Sequence, residues 1–117
     1  MTVPSQAPAS LTLYGLKTCD TCRKALKSLR DAGHDVVFHD VRADGLPRET
    51  LERFHADLGE ELMNKRSSTW RQLGDSAHGQ DVISLISQYP AVMKRPVIDD
   101  GTRLYLGWTK DVQAALT

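Results

Sequence analysis

Both cysteines of the chain lie where a β-prone run gives way to a helical pattern. Residues 11–14 predict a short strand, and Cys19 follows after a turn. Gly33 stands where a C-terminal cap is expected, and residues 35–41 predict a second strand. The order strand, helix, strand favours two parallel strands joined by a helical crossover. The apolar residues at helical spacing in this crossover are Cys22, Ala25, Leu26, Leu29 and Ala32.

The middle of the chain predicts a helical block. Pro47 marks the start of a helix that Gly59 ends, and Pro90 stops a later helix. Short helical turns are expected around Leu62 and Trp70. This block, from about residue 47 to residue 89, is predicted to be an insertion in the core fold. The apolar residues expected on the buried sides of its two longer helices are Leu51, Phe54, Leu58, Val82, Leu85, Ile86 and Tyr89.

The last part of the chain predicts a β-hairpin and a final helix. Two β-rich runs are joined by Asp-Asp-Gly-Thr, which is a strong turn signal, and Thr109 is the expected helix N-cap. The complete order of elements predicts an α/β fold with a mixed sheet. A Cys-x-x-Cys pair between the first strand and first helix of such a fold is typical of thioredoxin-like proteins. Residues 1–10, rich in Pro, Ser and Ala, are expected to form a disordered leader before one domain, residues 11–117.

The balance of charge bears on the class of partner and on the compartment. The chain contains 15 Lys and Arg and 15 Asp and Glu, which argues against direct binding of nucleic acid. No apolar run is long enough to span a membrane, and the N-terminus lacks the pattern of a secretory signal. We therefore expect a cytoplasmic protein. Thiols are kept reduced there, so the cysteine pair is expected to serve catalysis, redox sensing or metal binding.

The spacing of the two cysteines predicts unequal thiols. Cys19 stands at a helix start, where free amide groups and the helix dipole stabilise a thiolate. Cys22 lies one turn later on the apolar stripe, within reach of a disulfide. We expect Cys19 to attack and Cys22 to resolve the mixed disulfide. Inert core cysteines are the alternative, since Cys22 also fits as apolar filling.

A metal site is the third use of a cysteine pair, and the sequence does not complete one. Zinc requires about four ligands, and there is no second cysteine pair. The histidines show no close ligand pairing with one another, so no metal is expected. They are His34, His39, His55 and His78.

Cationic residues elsewhere are candidates for binding an anion. Arg95 stands directly before Pro96, which forces an extended or turn geometry on it. In thioredoxin-like folds the loop opposite the cysteines often carries a cis-proline, and an arginine there would face the thiol. A surface arginine beside an ordinary turn proline is the alternative. The cluster of Lys65, Arg66 and Arg71 around Trp70 is either an anion or partner patch, or a solvated loop held by a buried Trp70.

Five motifs are spread along the chain: LYGLKTCDTCRKA, FHDVRADGL, LMNKRSSTWRQL, PAVMKRPVI and LYLGW. Together they resemble the arsenate reductase (ArsC)/Spx family, and most closely its YffB-type members. The resemblance runs from Leu11 to the C-terminus. It implies a thioredoxin-like fold with a mixed four-stranded sheet and a helical insertion, Cys19 at the nucleophile position and Arg95 facing the anion.

The same resemblance implies glutathione as cosubstrate and no bound cofactor. Cys19, Cys22 and Arg95 are the expected catalytic residues. The expected partners are glutathione, a small thiol, disulfide or oxyanion substrate, and glutaredoxin, and the chain is expected to be a monomer. The residues expected to bind substrate or glutathione are Lys17, Asn64, Arg66 and Pro96.

Three functions follow from the family. Glutaredoxin-coupled arsenate reductases present three arginines around the thiol, and only Arg95 matches here, with Asn64 and Leu106 at the other two positions. Because fewer cations hold an oxyanion less well, a glutathione-dependent thiol–disulfide reductase is the first expectation. An arsenate reductase coupled to glutathione and glutaredoxin is the second. A redox-sensing regulator that binds RNA polymerase, as Spx does, is the third.

Overall fold

The computed structural model describes residues 10–74 and 81–117. The chain divides into two compact units. The sheet unit comprises Met1–Asp40 and Arg95–Thr117, and the helical unit comprises Val41–Lys94. The predicted insertion lies within the helical unit. None of the described helices is both long enough and apolar enough to cross a membrane.

The sheet unit contains a mixed sheet of four strands in the order β2-β1-β3-β4. β1 runs parallel to β2 and antiparallel to β3, and β3 runs antiparallel to β4. The mixed four-stranded sheet and the thioredoxin-like fold expected from the sequence are thereby confirmed. The elements are β1 (Ser10–Gly15), α1 (Asp20–Asp31), β2 (Asp35–Asp40), β3 (Val97–Asp99), β4 (Leu104–Leu106) and α5 (Lys110–Leu116).

The two helices of this unit pack their apolar sides against one face of the sheet. Leu13 pairs with Ile98 across β1 and β3 and lies on the same side of the sheet as Leu11. Each fully buried aliphatic side chain stabilises the fold by roughly 1.5–3 kcal/mol. This packing holds the first turn of α1 against the sheet. The buried members of the core are Leu11, Leu13, Cys22, Ala25, Leu29, Val36, Ile98, Val112 and Leu116.

Helix α1 has the boundaries that the sequence predicted. Gly33 has φ 97°, and its N–H donates to the Arg30 carbonyl at 3.0 Å. The His34 N–H donates to the Leu29 carbonyl at 3.1 Å, which completes a Schellman motif. Ala32, expected on the buried stripe, is exposed because it is the C-cap residue and lies past the last full turn.

The helical unit has its own core, in which α2 contacts α4. Leu51 and Phe54 of α2 and Leu85 and Ile86 of α4 are fully buried, as their spacing predicted. Tyr89 was expected beside them but is 39% exposed. Its elements are α2 (Arg48–Leu58), a 3₁₀ turn (Gly59–Leu62), α3 (Ser68–Gln72), α4 (Val82–Gln88) and a 3₁₀ turn (Pro90–Val92).

The exposure of Tyr89 has a local cause. Helix α4 ends at Gln88, and Tyr89 is its C-cap with φ −133° and ψ 79°. The following Pro90 disfavours helical backbone at Tyr89. The Tyr89 side chain therefore does not lie on the buried side of the helix that its spacing predicted.

Candidate functional site

The turn between β1 and α1 places Cys19 at the N-cap of the helix. Its backbone is extended, with φ −89° and ψ 117°. The Cys19 N–H donates to the Leu16 carbonyl, and the Cys19 carbonyl accepts from the Arg23 N–H, both at 3.0 Å. The sulfur therefore lies beside first-turn amides that have no partner within the helix.

Cys19 has the environment of a reactive thiol. Its own partial burial raises the pKa, but three groups outweigh this effect: the backbone N–H of Cys22, the thiol of Cys22 and the guanidinium of Arg95. The pKa of Cys19 therefore lies below the ordinary value of 9.0. The Cys19 side chain does not cap the helix through a regular hydrogen bond. The Cys22 N–H lowers the pKa of Cys19 because it favours negative charge on the sulfur.

Cys22 has the opposite environment. Its side chain is fully buried in the core beside Leu13 and Ala25. Burial raises the pKa of the Cys22 thiol to about 12, although the Leu16 N–H favours its thiolate. The thiol of Cys22 is thus protonated at neutral pH and donates toward the Cys19 sulfur, which raises its own pKa further. Neither cysteine forms a disulfide in this structure.

Gly15 makes room for the buried thiol. A Cβ atom added at Gly15 would lie 2.5 Å from Cys22 Sγ and 3.1 Å from Cys22 Cβ. Real Cβ atoms essentially never show a contact as short as the one to Sγ, so any larger residue must displace the Cys22 side chain. Our prediction from the sequence did not include Gly15. Its signal was a glycine at the end of a strand, directly before a Cys-x-x-Cys turn.

Arg95 lies beside Cys19, as the family resemblance implied, and is not a surface arginine remote from the thiol. Its guanidinium hydrogen-bonds the Cys19 thiolate and attracts its charge. The Nε atom of Arg95 is buried, and the Arg95–Pro96 peptide bond is cis. Pro96 is itself buried, and its carbonyl accepts from the Gly107 N–H at 2.8 Å. This bond anchors the loop that carries Arg95, while a direct contact of Pro96 with substrate stays a prediction.

Lys17 contributes to the cysteine turn through its backbone. Its side chain is exposed, and its N–H donates to Asp40 Oδ2 at 3.0 Å. Asp40 is 7% exposed and ends β2. The sequence signal for Asp40 was an acidic residue at the end of an apolar strand, and our prediction did not use it.

Asn64 and Arg66 lie in a turn of the helical unit. The Asn64 side-chain oxygen accepts from the Arg66 N–H at 3.0 Å, and the Asn64 N–H donates to the Val92 carbonyl at 2.7 Å. Met63 and Met93 form a β-bridge between the same two segments. The turn therefore has a defined backbone, which leads into α3 with Ser67 as N-cap.

This turn borders a surface pocket of about 490 Å³ within the helical unit. Three of its lining side chains are cationic and one is acidic, so the pocket favours a ligand with an excess of negative charge. Lys65 Nζ also lies 5.8 Å from the centroid of Trp70, which is half-buried. The sequence prediction missed Lys94, because its separation from the Asn64 turn gave no local signal. The lining residues are Glu61, Met63, Asn64, Lys65, Arg66 and Lys94.

The residues described, 10–74 and 81–117, contain no group of three or more His, Cys, Asp and Glu side chains arranged to hold a metal ion. His78, one of the histidines considered in the sequence, lies outside the described residues.

Known proteins resemble this chain over nearly its whole length. The match to the ArsC family covers residues 14–116. The global transcriptional regulator Spx of Streptococcus mutans is 32% identical over 109 residues, which cover 86% of this chain and 78% of Spx. The solved structure of a YffB protein has 34% identity and a TM-score of 0.84, with 91% of this chain and 97% of that chain covered. An arsenate reductase (ArsC) related protein from Brucella melitensis has 36% identity and a TM-score of 0.71, with coverages of 91% and 92%.

Proposed function

We propose that this chain, which belongs to the ArsC family, is a thiol–disulfide reductase with Cys19 as nucleophile. The observation that carries the proposal is the opposite environment of two neighbouring thiols. The pKa of Cys19 is lowered, and that of Cys22 is raised to about 12. A thiolate attacks a disulfide, whereas a protonated thiol does not, so the two cysteines are suited to different steps.

In the first step the Cys19 thiolate attacks one sulfur of a substrate disulfide. A new disulfide bond joins Cys19 to that half of the substrate, and the other half leaves as a thiolate that takes up a proton from solvent. Arg95 hydrogen-bonds the thiolate before the attack and favours the ionised form of Cys19.

In the second step Cys22 resolves the mixed disulfide. Its thiol gives up its proton to the departing substrate thiolate, and its sulfur attacks Cys19. The substrate leaves as a thiol, reduced by two electrons in all, and the enzyme keeps a Cys19–Cys22 disulfide. Two molecules of glutathione then restore the dithiol and become one glutathione disulfide.

The binding of glutathione is assigned to cationic groups. Lys17 and Arg95, both in the sheet unit, are the residues assigned to this role. A role for Asn64 and Arg66 of the helical unit in binding substrate or glutathione stays a prediction from the sequence. Glutathione carries two carboxylates and one ammonium group, which suits a set of residues with an excess of positive charge. We further propose that the chain works as a cytoplasmic monomer, with glutaredoxin as an additional reductant.

Two rival functions come from the relatives. Arsenate reduction would use Cys19 to attack arsenic, and the name of the Brucella melitensis protein supports this reading. A redox switch that controls transcription would use the pair as a sensor, and the likeness to Spx supports that reading.

One set of assays separates the three functions. Purified protein is incubated with glutathione and a glutathionylated peptide, and separately with glutathione, glutaredoxin and arsenate. We expect release of the peptide thiol by the wild type, and none by Cys19→Ser. Turnover in the arsenate assay but not in the peptide assay would replace the proposed function by arsenate reduction. Failure of both assays, with capture of RNA polymerase that depends on the oxidation state of the pair, would assign a regulator.

A further inference from the structure

Asp40 is the one charged side chain that is buried in the part of the chain described. It ends β2 and pairs in register with Gly15, the last residue of β1. Burying a carboxylate is costly unless hydrogen bonds compensate for the lost water. One such bond comes from the backbone N–H of Lys17, two residues before Cys19.

This bond acts on the cysteine turn and not on the pairing of the strands. The strands β1 and β2 are already joined in register from Ser10 and Asp35 to Gly15 and Asp40. The Lys17 N–H lies beyond that ladder, in the turn that leads to Cys19. Holding the two strands together therefore does not require the bond to Asp40.

Three successive contacts hold the turn. The Leu16 N–H points to the Cys22 sulfur, the Lys17 N–H donates to Asp40, and the Cys19 N–H donates to the Leu16 carbonyl at 3.0 Å. The Asp40 carboxylate is the charged acceptor among them, and hydrogen bonds to charged acceptors are roughly twice as strong as neutral ones. It is also the acceptor contributed by a different strand, so it ties the turn to the sheet.

We propose that Asp40 is a positioning residue for Cys19: through the Lys17 N–H it holds the turn that keeps the Cys19 sulfur at the helix N-cap, facing Cys22 and Arg95. This inference rests on the proposed function, because it concerns how the nucleophile is presented. Asp40 itself takes no part in the chemistry.

Three variants separate the hydrogen bond from the charge. Asp40→Asn keeps an oxygen that accepts from the Lys17 N–H but removes the charge, whereas Asp40→Ala removes both. Loss of a nearby negative charge alone favours the Cys19 thiolate, so slower reaction of Asp40→Ala must come from the lost hydrogen bond. Asp35→Ala removes an exposed acid at the other end of the same strand and is the matched control.

The measurement is the rate of Cys19 alkylation by iodoacetamide in the reduced full-length chain from pH 6 to pH 9, with the modified residue identified by mass spectrometry. We expect Asp40→Ala to react about 3- to 10-fold more slowly at pH 7 than Asp40→Asn, the change produced by a pKa difference of up to one unit. Asp40→Asn and Asp35→Ala should match the wild type within about twofold. The amide resonance of Lys17 should move in Asp40→Ala and stay close to its place in Asp40→Asn.

Other results would overturn the proposal. If Asp40→Ala unfolds more easily but keeps the wild-type pH profile, Asp40 is only structural. If Asp40→Asn is as slow as Asp40→Ala, the hydrogen bond is not what matters. Should Asp40→Ala fail to fold, Asp40→Ser, whose hydroxyl does not reach as far, takes its place in the comparison. A wild-type Cys19 that titrates like a free thiol would instead refute the proposed function.

Discussion

The two ends of the Cys-x-x-Cys motif belong to one helical turn but have opposite chemistry. Cys19 lies at the N-cap, partly exposed, with an arginine beside it. Cys22 lies in the apolar core, and no part of its side chain reaches solvent. The contrast shows that two thiols in the same helical turn differ in acidity when one is capped by helix amides and an arginine and the other is buried in the core.

A contact between the two side chains couples the two environments. The thiol of Cys22 donates toward the sulfur of Cys19, which lowers the pKa of Cys19 and raises that of Cys22. The acidity of the first thiol thus depends in part on the second remaining protonated. A substitution of one cysteine is therefore expected to change the pKa of the other as well.

The largest expected effect separates the two cysteines by role. Cys19→Ser should lower the turnover of a disulfide substrate by at least about 1,000-fold, as expected for loss of a catalytic nucleophile. Cys22→Ser should also turn over poorly but should accumulate a mixed disulfide on Cys19, which mass spectrometry of the non-reduced protein detects. An adduct on Cys22 in the Cys19→Ser protein would reverse the assignment of roles.

The next effect concerns the space around Cys22. Gly15→Ala should lower the free energy of unfolding by about 1–3 kcal/mol, because its Cβ overlaps Cys22 Sγ. The cost should fall by more than half in a Cys22→Ala background, where that sulfur is absent. Gly74→Ala, whose Cβ would meet nothing within 4 Å, is the control. Denaturant unfolding under reducing conditions measures the loss of stability caused by Gly15→Ala in each background and by Gly74→Ala. Equal losses for Gly15→Ala in the two backgrounds would show that Gly15 serves another purpose.

The next effect concerns the charge of Arg95 beside Cys19. Arg95→Gln should slow alkylation of Cys19 at pH 7 by about 10-fold, the free-energy equivalent of one hydrogen bond to a charged group. Arg23→Gln is the matched control, because Arg23 is exposed and pairs with Asp20. Its alkylation rate should stay at the wild-type value, since exposed ion pairs contribute little. Equal slowing by both variants would point to general positive charge and not to Arg95.

The smallest effect is a difference in the pH dependence of stability. Between the ordinary cysteine pKa of 9.0 and the value of about 12 for folded Cys22, the folded state holds more protons than the unfolded state. The stabilisation from neutral Cys22 is therefore complete below pH 9 and is lost as pH rises toward 12. We expect the wild type to lose about 1 kcal/mol relative to Cys22→Ala by pH 10.

Cys19 should have the opposite slope. Because its folded pKa is lowered, its stabilisation is complete above pH 9 and is lost as pH falls through the folded pKa. Relative to Cys19→Ser, the wild type should therefore gain stability as pH rises toward 9. Urea unfolding of both variants and the wild type in reducing buffer gives the two slopes, and slopes of the same sign would contradict the assigned environments.

Much of the fold was predictable because its signals are local. The spacing of Cys22, Ala25 and Leu29 identified the buried side of α1, and all three are fully buried. Thr109 was expected to cap the last helix, and its hydroxyl accepts from the Val112 N–H at 3.3 Å. Such signals depend on residues within one or two turns, so a linear pattern contains them.

The missed residues depend on side-chain and backbone contacts that the spacing of apolar residues does not contain. Asp40 and Lys17 are 23 residues apart, and their hydrogen bond follows from strand register. The need for glycine at position 15 follows from a sulfur that α1 brings back over β1. Tyr89 was misplaced because helical spacing ignores the effect of the next proline on the backbone. Patterns along the chain predict which face of an element is buried, but not which polar atoms meet.

The burial of Cys22 also decides how the protein would survive oxidants. A peroxide that reaches the site meets Cys19 first and forms a sulfenic acid there, because thiolates react and buried protonated thiols do not. The Cys22 thiol beside it can then condense with that sulfenic acid and release water, leaving a Cys19–Cys22 disulfide. The buried Cys22 thiol, one turn away, thus protects Cys19 from irreversible oxidation to sulfinic and sulfonic acid.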